Sequence, residues 1–289
     1  MAKPETDEIT GTETTGHEWD GIKELNTPLP RWWLWTFYAT IIWAIGYTVL
    51  YPAWPLVDGA TRGVLGWSSR ADLTSTLAGV EQEQSQYLTK INELSLGEIA
   101  QDPELYQFAV AGGRSAFAVN CVQCHGSGAQ GFEGYPNLND DSWIWGGTLD
   151  DIYTTVRHGI RYEADEDTRF SQMLAFGRDG MLDRTQINDV AEYVLSLSGQ
   201  DHDAAAAQAG AAVYTDNCAV CHGDKGQGSR ELGAPRLNDA IWLYGGDKAS
   251  IVAQVNAPRH GVMPAWSGRL DPATIKQLVL FVHSLGGGE

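Results

Sequence analysis

CVQCHGSGAQG, beginning at Cys121, and CAVCHGDKGQG, beginning at Cys218, are two versions of one eleven-residue pattern, and together they hold all four cysteines of the 289-residue chain. Paired thiols beside an imidazole imply a ligand, and the duplication implies two similar folding units. Three chemistries share this cysteine spacing. A zinc site needs two such pairs close enough to complete a tetrahedron, usually within about twenty residues. Here 93 residues lie between the pairs, and zinc gives no reason for the repeated histidine. A thioredoxin-like dithiol sits in a strand–helix context, and the two-residue alternation of a sheet is scarce in this chain. Cys-x-x-Cys-His is the attachment signature of c-type haem. The two thiols add across the porphyrin vinyl groups, and the adjacent histidine binds the iron from beneath. We therefore read Cys121, Cys124, Cys218 and Cys221 as thioether attachment points and His125 and His222 as proximal ligands. The cofactors implied are two covalently bound haem c groups.

The repetition extends well past the cysteines. LNDDSWIWGGTLDDI from Leu138 matches LNDAIWLYGGDKASI from Leu237 at a constant offset of 99. RHG recurs at Arg157 and Arg259, MLAF at Met173 answers MPAW at Met263, and YVLSL at Tyr193 answers FVHSL at Phe281. Each unit reads as helix and loop, with RSAFAVN leading helically into the first cysteine pair and a closing helix at Asp189–Leu197 or Ile275–Leu285. The alanine-rich joint SGQDHDAAAAQAG also favours helix, since alanine is the best helix former.

Apart from Met1, the methionines are Met173, Met181 and Met263. Met263 lies 41 residues after His222, a usual place for the iron ligand of a small helical cytochrome c, and the repeat aligns it with Met173. These two are the candidate sixth ligands, with Met181 a packing residue. Methionine would raise the reduction potential relative to stronger donors. Each methionine serving the haem of its own repeat is the default, and exchange between closely packed repeats is the alternative. His158 and His260, both in RHG, are rival ligands, or they hydrogen-bond and pack while Arg157 and Arg259 meet the haem propionates. Trp143, Trp145, Trp242 and Tyr244 are candidates to wall the haems.

From Trp32 to Trp54 the chain has 23 residues without a charge, enough to cross about 30 Å of hydrocarbon at about 1.5 Å per residue. Trp32, Trp33 and Trp35 crowd one end and Tyr47, Tyr51 and Trp54 the other, as interfacial belts do. A signal peptide fits poorly, because an acidic tail precedes the run and no small-residue cleavage site follows. Flanking Lys23 and Arg31 balance Arg62 and Arg70, so charge leaves the orientation undecided. Covalent haem decides it, since c-type haems are attached outside the cytoplasmic membrane. The net charge of −18 argues against nucleic-acid binding, which needs the opposite sign. The chain beyond the anchor holds 16 basic and 30 acidic side chains, a field that draws basic partners. The expectation is a mainly α protein: tail 1–30, transmembrane helix 31–55, linker and helix 56–107, and two tandem cytochrome c-like helical domains, 108–200 and 204–289.

The tail TGHEWDGIKELNTPLPRWWLWTF, one anchor and two tandem c-haem units resemble the dihaem CcoP/FixP subunits of cbb3-type cytochrome c oxidase, over essentially all 289 residues. The stretch GIKELNTPLPRWW joined to the anchor is the specific part. The resemblance implies an electron-transfer subunit in the bacterial inner membrane, with a cytoplasmic N-terminus and periplasmic haem domains. It implies acceptance of electrons from a donor cytochrome c and transfer to a monohaem cytochrome c subunit. The haem–copper catalytic subunit then reduces oxygen with proton pumping. It also implies axial roles for Met173 and Met263. A dihaem peroxidase would need an open sixth position, which two matched methionines argue against. A subunit of a membrane dehydrogenase would often carry three haem motifs, and a free dihaem carrier would not need the anchor.

Overall fold

Asp20 and Gly21 both take positive φ (48° and 85°), the combination that a two-residue hairpin turn requires to match the twist of its strands. Strands β1 (Thr14–Trp19) and β2 (Ile22–Leu25) pair antiparallel across them. In the computed structural model, which describes residues 4–288, helix α1 (Arg31–Leu50) follows. Its 20 residues rise about 30 Å, the thickness of a hydrocarbon core, and none of its side chains is buried by protein. The uncharged run continues to Trp54, but the helix stops at Leu50. Pro52 disfavours helical geometry in the residue before it, and Tyr51 is extended (φ −114°, ψ 161°).

The chain then doubles back to cap α1. Val64 and Leu65 donate to the carbonyls of Val49 (2.9 Å) and Leu50 (3.1 Å), groups that a helix end otherwise leaves unpaired. Gly63, at φ +72°, permits the approach, because a Cβ there would strike the Leu50 carbonyl. The short strands β3 (Pro55–Leu56) and β4 (Gly59–Ala60) lie within this return. These elements belong to one compact unit, Met1–Glu83; the other is Gln84–Glu289.

The remaining helices are α2 (Ser69–Glu93), α3 (Leu96–Gln101), α4 (Pro103–Asn120), α5 (Val122–His125), α6 (Leu149–His158), α7 (Arg184–Leu197), α8 (Ala204–Asn217), α9 (Ala219–His222), α10 (Lys248–Asn256) and α11 (Pro272–His283). Much of the acidity serves locally. Asp102, Asp183, Asp203, Asp247 and Asp271 each accept N–H groups at a helix start, a cap that stabilises by about 1 kcal/mol. The alanine-rich joint proves to be α8, the opening helix of the second repeat.

The helices pair across the repeats. The opening helix of the first repeat, α4, packs on the closing helix of the second, α11, and α7 packs on α8. Only six residues link Leu197 to Ala204, and so short a connection makes consecutive helices neighbours. With α7 committed to α8, α4 and α11 are left for each other. Both crossings are built alike. Gly113 and Gly210 lie eight residues before Cys121 and Cys218; a Cβ on either would strike backbone, the carbonyl of Gln277 or that of Asp189. One turn later Phe117 meets Phe281 (ring centroids 5.3 Å) and Tyr214 meets Tyr193 (5.1 Å).

Two apolar cores result. The first joins Leu105, Ala109 and Phe117 with Ile152, Val156, Leu278 and Val279. The second joins Ile187, Val190 and Val194 with Tyr214, Ile251 and Val255. Lys276 of α11 donates to the carbonyls of Ile91, Asn92 and Leu94 at 2.8, 3.0 and 2.7 Å, closing the end of α2 on the first core.

Alanine in place of glycine ordinarily favours a helix by about 1 kcal/mol. At Gly113 and Gly210 the crossing backbone must instead move apart, an overpacking cost of about 1–3 kcal/mol. Gly113→Ala and Gly210→Ala are each expected to melt below the parent when followed by far-ultraviolet circular dichroism on haem-loaded protein. A rise in melting temperature would show that the glycines do not set the crossings.

Candidate haem sites

Each haem motif sits where an opening helix ends. α4 runs into Cys121, whose N–H still bonds back to Phe117, and the single turn α5 ends at His125. α8, Cys218 and α9 repeat this, ending at His222. Gly126 and Gly223 follow at φ 80° and 77° and release the chain from the helix. The loops beyond are clasped by equivalent residues. Gln130 Oε1 accepts from Gly128 N and Gln227 Oε1 from Lys225 N, both at 3.0 Å. Asn139 and Asn238 donate their side-chain amides across the same loops, to the carbonyls of Gly128 (2.9 Å) and Lys225 (3.0 Å). Repetition of Gln-Gly and Leu-Asn-Asp was the available sequence signal for these roles.

The loop closure brings Pro136 and Pro235 to the histidines. His125 Nδ1 lies 3.1 Å from the Pro136 carbonyl and His222 Nδ1 lies 2.9 Å from that of Pro235. A carbonyl can only accept, so Nδ1 carries the proton and Nε2 keeps its lone pair. Burial holds both imidazoles below the ordinary histidine pKa, against a smaller opposing effect of the carbonyl. A neutral ring oriented by a backbone acceptor is what a metal-bound histidine needs. Burial likewise pushes the Cys121 and Cys218 thiols up to about 11, while Cys124 and Cys221 are exposed. In each motif the first cysteine is the more enclosed, Cys121 half-buried and Cys218 buried, and the second is exposed, which fits thioether attachment of a macrocycle lying at the core boundary.

The methionines follow the helix exchange. Met263 packs on the first core, which also includes Cys121, Val122 and Trp143 at its edge. Met173 packs on the second, with Cys218, Ala219 and Trp242. Their loops run accordingly: Trp266 and Ser267 donate to the carbonyls of Val156 and Arg157 at the end of α6, and Arg178 donates to that of Asn256 at the end of α10. Met181 is half exposed. Aromatic side chains of the two repeats also cross between them. The Trp145 ring lies against Gly233, and Tyr244 lies against Gly134, with 3.2 Å between its ring and a Cβ built there.

Other singled-out residues have defined partners. His158 Nδ1 bonds Asp165 at 3.0 Å, and His260 Nε2 accepts from Met173 N at 3.1 Å. Arg157 lies over the Tyr153 ring, 6.0 Å from its centroid, and Arg259 pairs with Glu133 at 2.8 Å. The arginine with an unanswered buried N–H among the described residues is Arg169, through Nε. Its guanidinium also lies 5.4 Å from the Trp145 ring centroid. Its Nη2 donates to the Asp151 carbonyl (3.1 Å) and meets the Asp151 carboxylate (3.4 Å), so the Nε N–H alone is left for a carboxylate-bearing ligand such as haem, and no sequence pattern marked it, because Arg169 has no repeat partner.

The chain is similar to known proteins along its length. The family model for the N-terminal domain of cytochrome oxidase-cbb3, FixP, matches residues 11–58. The cytochrome c model matches 110–198, and the model for cytochrome C oxidase, cbb3-type, subunit III matches 205–282. The Cbb3-type cytochrome c oxidase subunit CcoP of Cereibacter sphaeroides is 55% identical over 276 residues, spanning 96% of this chain and 95% of that protein. Subunit FixPc of Rhizobium leguminosarum bv. viciae is 54% identical over 288 residues, and subunit CcoP of Azospirillum brasilense 54% over 296, each spanning 100% of both chains. The chain belongs to the CcoP/FixP family. It carries two covalently bound c-type haems in two cytochrome c domains.

In this CcoP/FixP chain, buried Glu192 ties the second haem site together. Oε1 accepts from Lys248 Nζ (2.7 Å) and Oε2 from Asp203 N (2.9 Å), so α7, α8 and α10 share one carboxylate. Gln200 beside it donates to the Gly246 carbonyl (3.1 Å), four residues past Trp242. The Lys248 hydrogen bond, then that from Asp203, holds the Glu192 carboxyl below its ordinary range. The unfolded chain therefore takes up this proton more readily than the native state. The stabilisation is complete above an ordinary glutamate pKa of about 4.3 and is lost as pH falls through the lowered native value. In urea titrations between about pH 5 and pH 3, the parent should lose more stability than Glu192→Gln, which lacks the titrating group. Parallel losses would show that Glu192 does not hold this corner.

Proposed function

We propose that this electron-transfer subunit of a cbb3-type cytochrome c oxidase receives electrons from a donor cytochrome c and hands them to a monohaem cytochrome c subunit. From there they reach the haem–copper subunit. The observation that carries this reading is the pair of equivalent, carbonyl-oriented histidine sites in a chain matched end to end by CcoP and FixP subunits. When bound, each haem supplies reversible one-electron exchange at iron.

The chain's residues set the terms of that exchange. Cys121 with Cys124, and Cys218 with Cys221, hold the two macrocycles; His125 and His222 present Nε2 to the irons. Met263 supplies the sixth ligand at the His125 site and Met173 at the His222 site, an exchange supported by the cores in which they pack. Thioether ligation fills the last position and favours a high potential, which suits relay rather than oxygen chemistry. The subunit is therefore non-catalytic within the oxidase. Helix α1 is the single span in the bacterial inner membrane, with the N-terminus in the cytoplasm and the haem domains in the periplasm, because covalent haem attachment takes place on that side. The acidic excess beyond α1 favours a basic donor.

Full-length chain in detergent should be reduced by donor cytochrome c yet consume no oxygen until the rest of the oxidase is added. Rapid oxygen uptake by the isolated chain would remove the relay role.

Ligand exchange is tested in the same preparation by nuclear magnetic resonance. The ε-methyl of Met263 should show contacts with the haem bound to His125, and that of Met173 with the haem bound to His222. Contacts within each repeat instead would overturn the exchange while leaving methionine ligation intact.

A further inference from the structure

The two methionine loops are fastened by one short strap. Gly159–Arg161 follows α6, and Ile160 exchanges both backbone hydrogen bonds with Met263, N–H to carbonyl at 2.9 Å and carbonyl to N–H at 3.0 Å. On its other side the strap bonds the start of the Met173 loop: Arg161 N donates to the Arg169 carbonyl (2.8 Å), and Arg169 N to that of Gly159 (3.2 Å). The approach is close enough that a Cβ on Gly159, at φ +69°, would strike the Met263 carbonyl.

The side chain of Arg161 completes the fastening. Its Nε donates to the Gly261 carbonyl at 2.7 Å and its Nη1 to the Ser171 carbonyl at 3.2 Å. These carbonyls stand two residues before Met263 and two before Met173. A planar guanidinium can hold two backbone acceptors in fixed mutual geometry, which a lysine ammonium on its flexible stem cannot. Arg161 is half-buried and takes φ +53°, a left-handed conformation uncommon for a side-chain-bearing residue and strained. Such strain persists where the surroundings over-determine it. Here the determinants are four hydrogen bonds from Ile160 and Arg161 to two loops of different repeats. The loops also meet directly, through Met173 N and His260 Nε2.

We infer that Arg161 is a positioning residue shared by both redox centres, one guanidinium that holds both methionine loops and so sets both sixth ligands together. This rests on the methionine ligation proposed above. It makes the two centres mechanically coupled: a disturbance at one strap loosens two iron–sulfur bonds, in loops 90 residues apart in sequence.

The test uses the full-length chain with both haems, comparing Arg161→Gln, Arg161→Lys, Met173→Leu and Met263→Leu. Three quantities are read: the near-infrared sulfur–iron band of each ferric haem, both midpoint potentials, and the rate at which imidazole displaces the sixth ligand. Both arginine variants should keep two haems, weaken the band of both by more than half, lower both potentials, and speed displacement at both irons at least tenfold. Should Arg161→Gln fail to fold, Arg161→Lys, which keeps charge and bulk but loses the fork, carries the test alone. An effect confined to one haem, or full rescue by lysine, overturns the shared role. The methionine variants separate the two ideas. If each abolishes one band while the arginine variants match the parent, the Arg161 assignment falls and methionine ligation stands. If neither methionine variant changes a band, ligation itself falls.

Discussion

The six-residue connection between α7 and α8 decides the arrangement of what surrounds it. A helix leaving so short a link has little choice but to pack on the helix before it, and once α7 lies on α8 the opening helix α4 lacks the closing helix of its own repeat. The chain's last helix, α11, takes that place. Burial then follows from the glycine–aromatic crossings, where removal of one Cβ lets backbones approach and the aromatic pair fills the next turn. The middle helices α6 and α10 stay with the repeats that encode them, so each core is completed by a methionine loop arriving from the other repeat.

That exchange gives the two centres unequal supports within like surroundings. The histidine ends are near copies: a carbonyl from proline, a glutamine-clasped loop and an asparagine tie recur at matched positions. The methionine ends differ. Met263 is hydrogen-bonded by its backbone to Ile160, while Met173 uses the ring of His260. Duplication supplied two equal frames, and the contacts between them made the frames distinct. Electron passage benefits from rigid ligand loops, because little then has to rearrange as charge changes.

Several features were legible in residues that sequence reasoning passed over. Asp-Gly between Trp19 and Ile22 is a strong hairpin signal, yet in an acidic tail it drew no structural reading. The anchor helix ends at Leu50 rather than Trp54 because Pro52 biases Tyr51 toward an extended backbone, a rule readable from the sequence. Gly113 and Gly210, each eight residues before a cysteine pair, stood at matched places without an evident task, since a glycine's role depends on the atoms across from it. Arg161 and Arg169 carried no signal at all; their meaning lies in carbonyls and rings that are distant in the chain.

By itself the sequence determined the chemistry and the inventory. Cys-x-x-Cys-His written twice specifies two covalent haems, because thiol spacing and an adjacent imidazole are local requirements. An uncharged run with aromatic ends meets the length and polarity that a membrane span requires, because both are local too, and repetition specifies two similar helical units. Only the tertiary structure decided which helices cross and where each methionine packs. It also decided that one arginine spans both loops, since these are outcomes of chain connectivity competing with packing. A repeat written twice carries the same contacts within and between its copies, and only the length of the link between them breaks the tie.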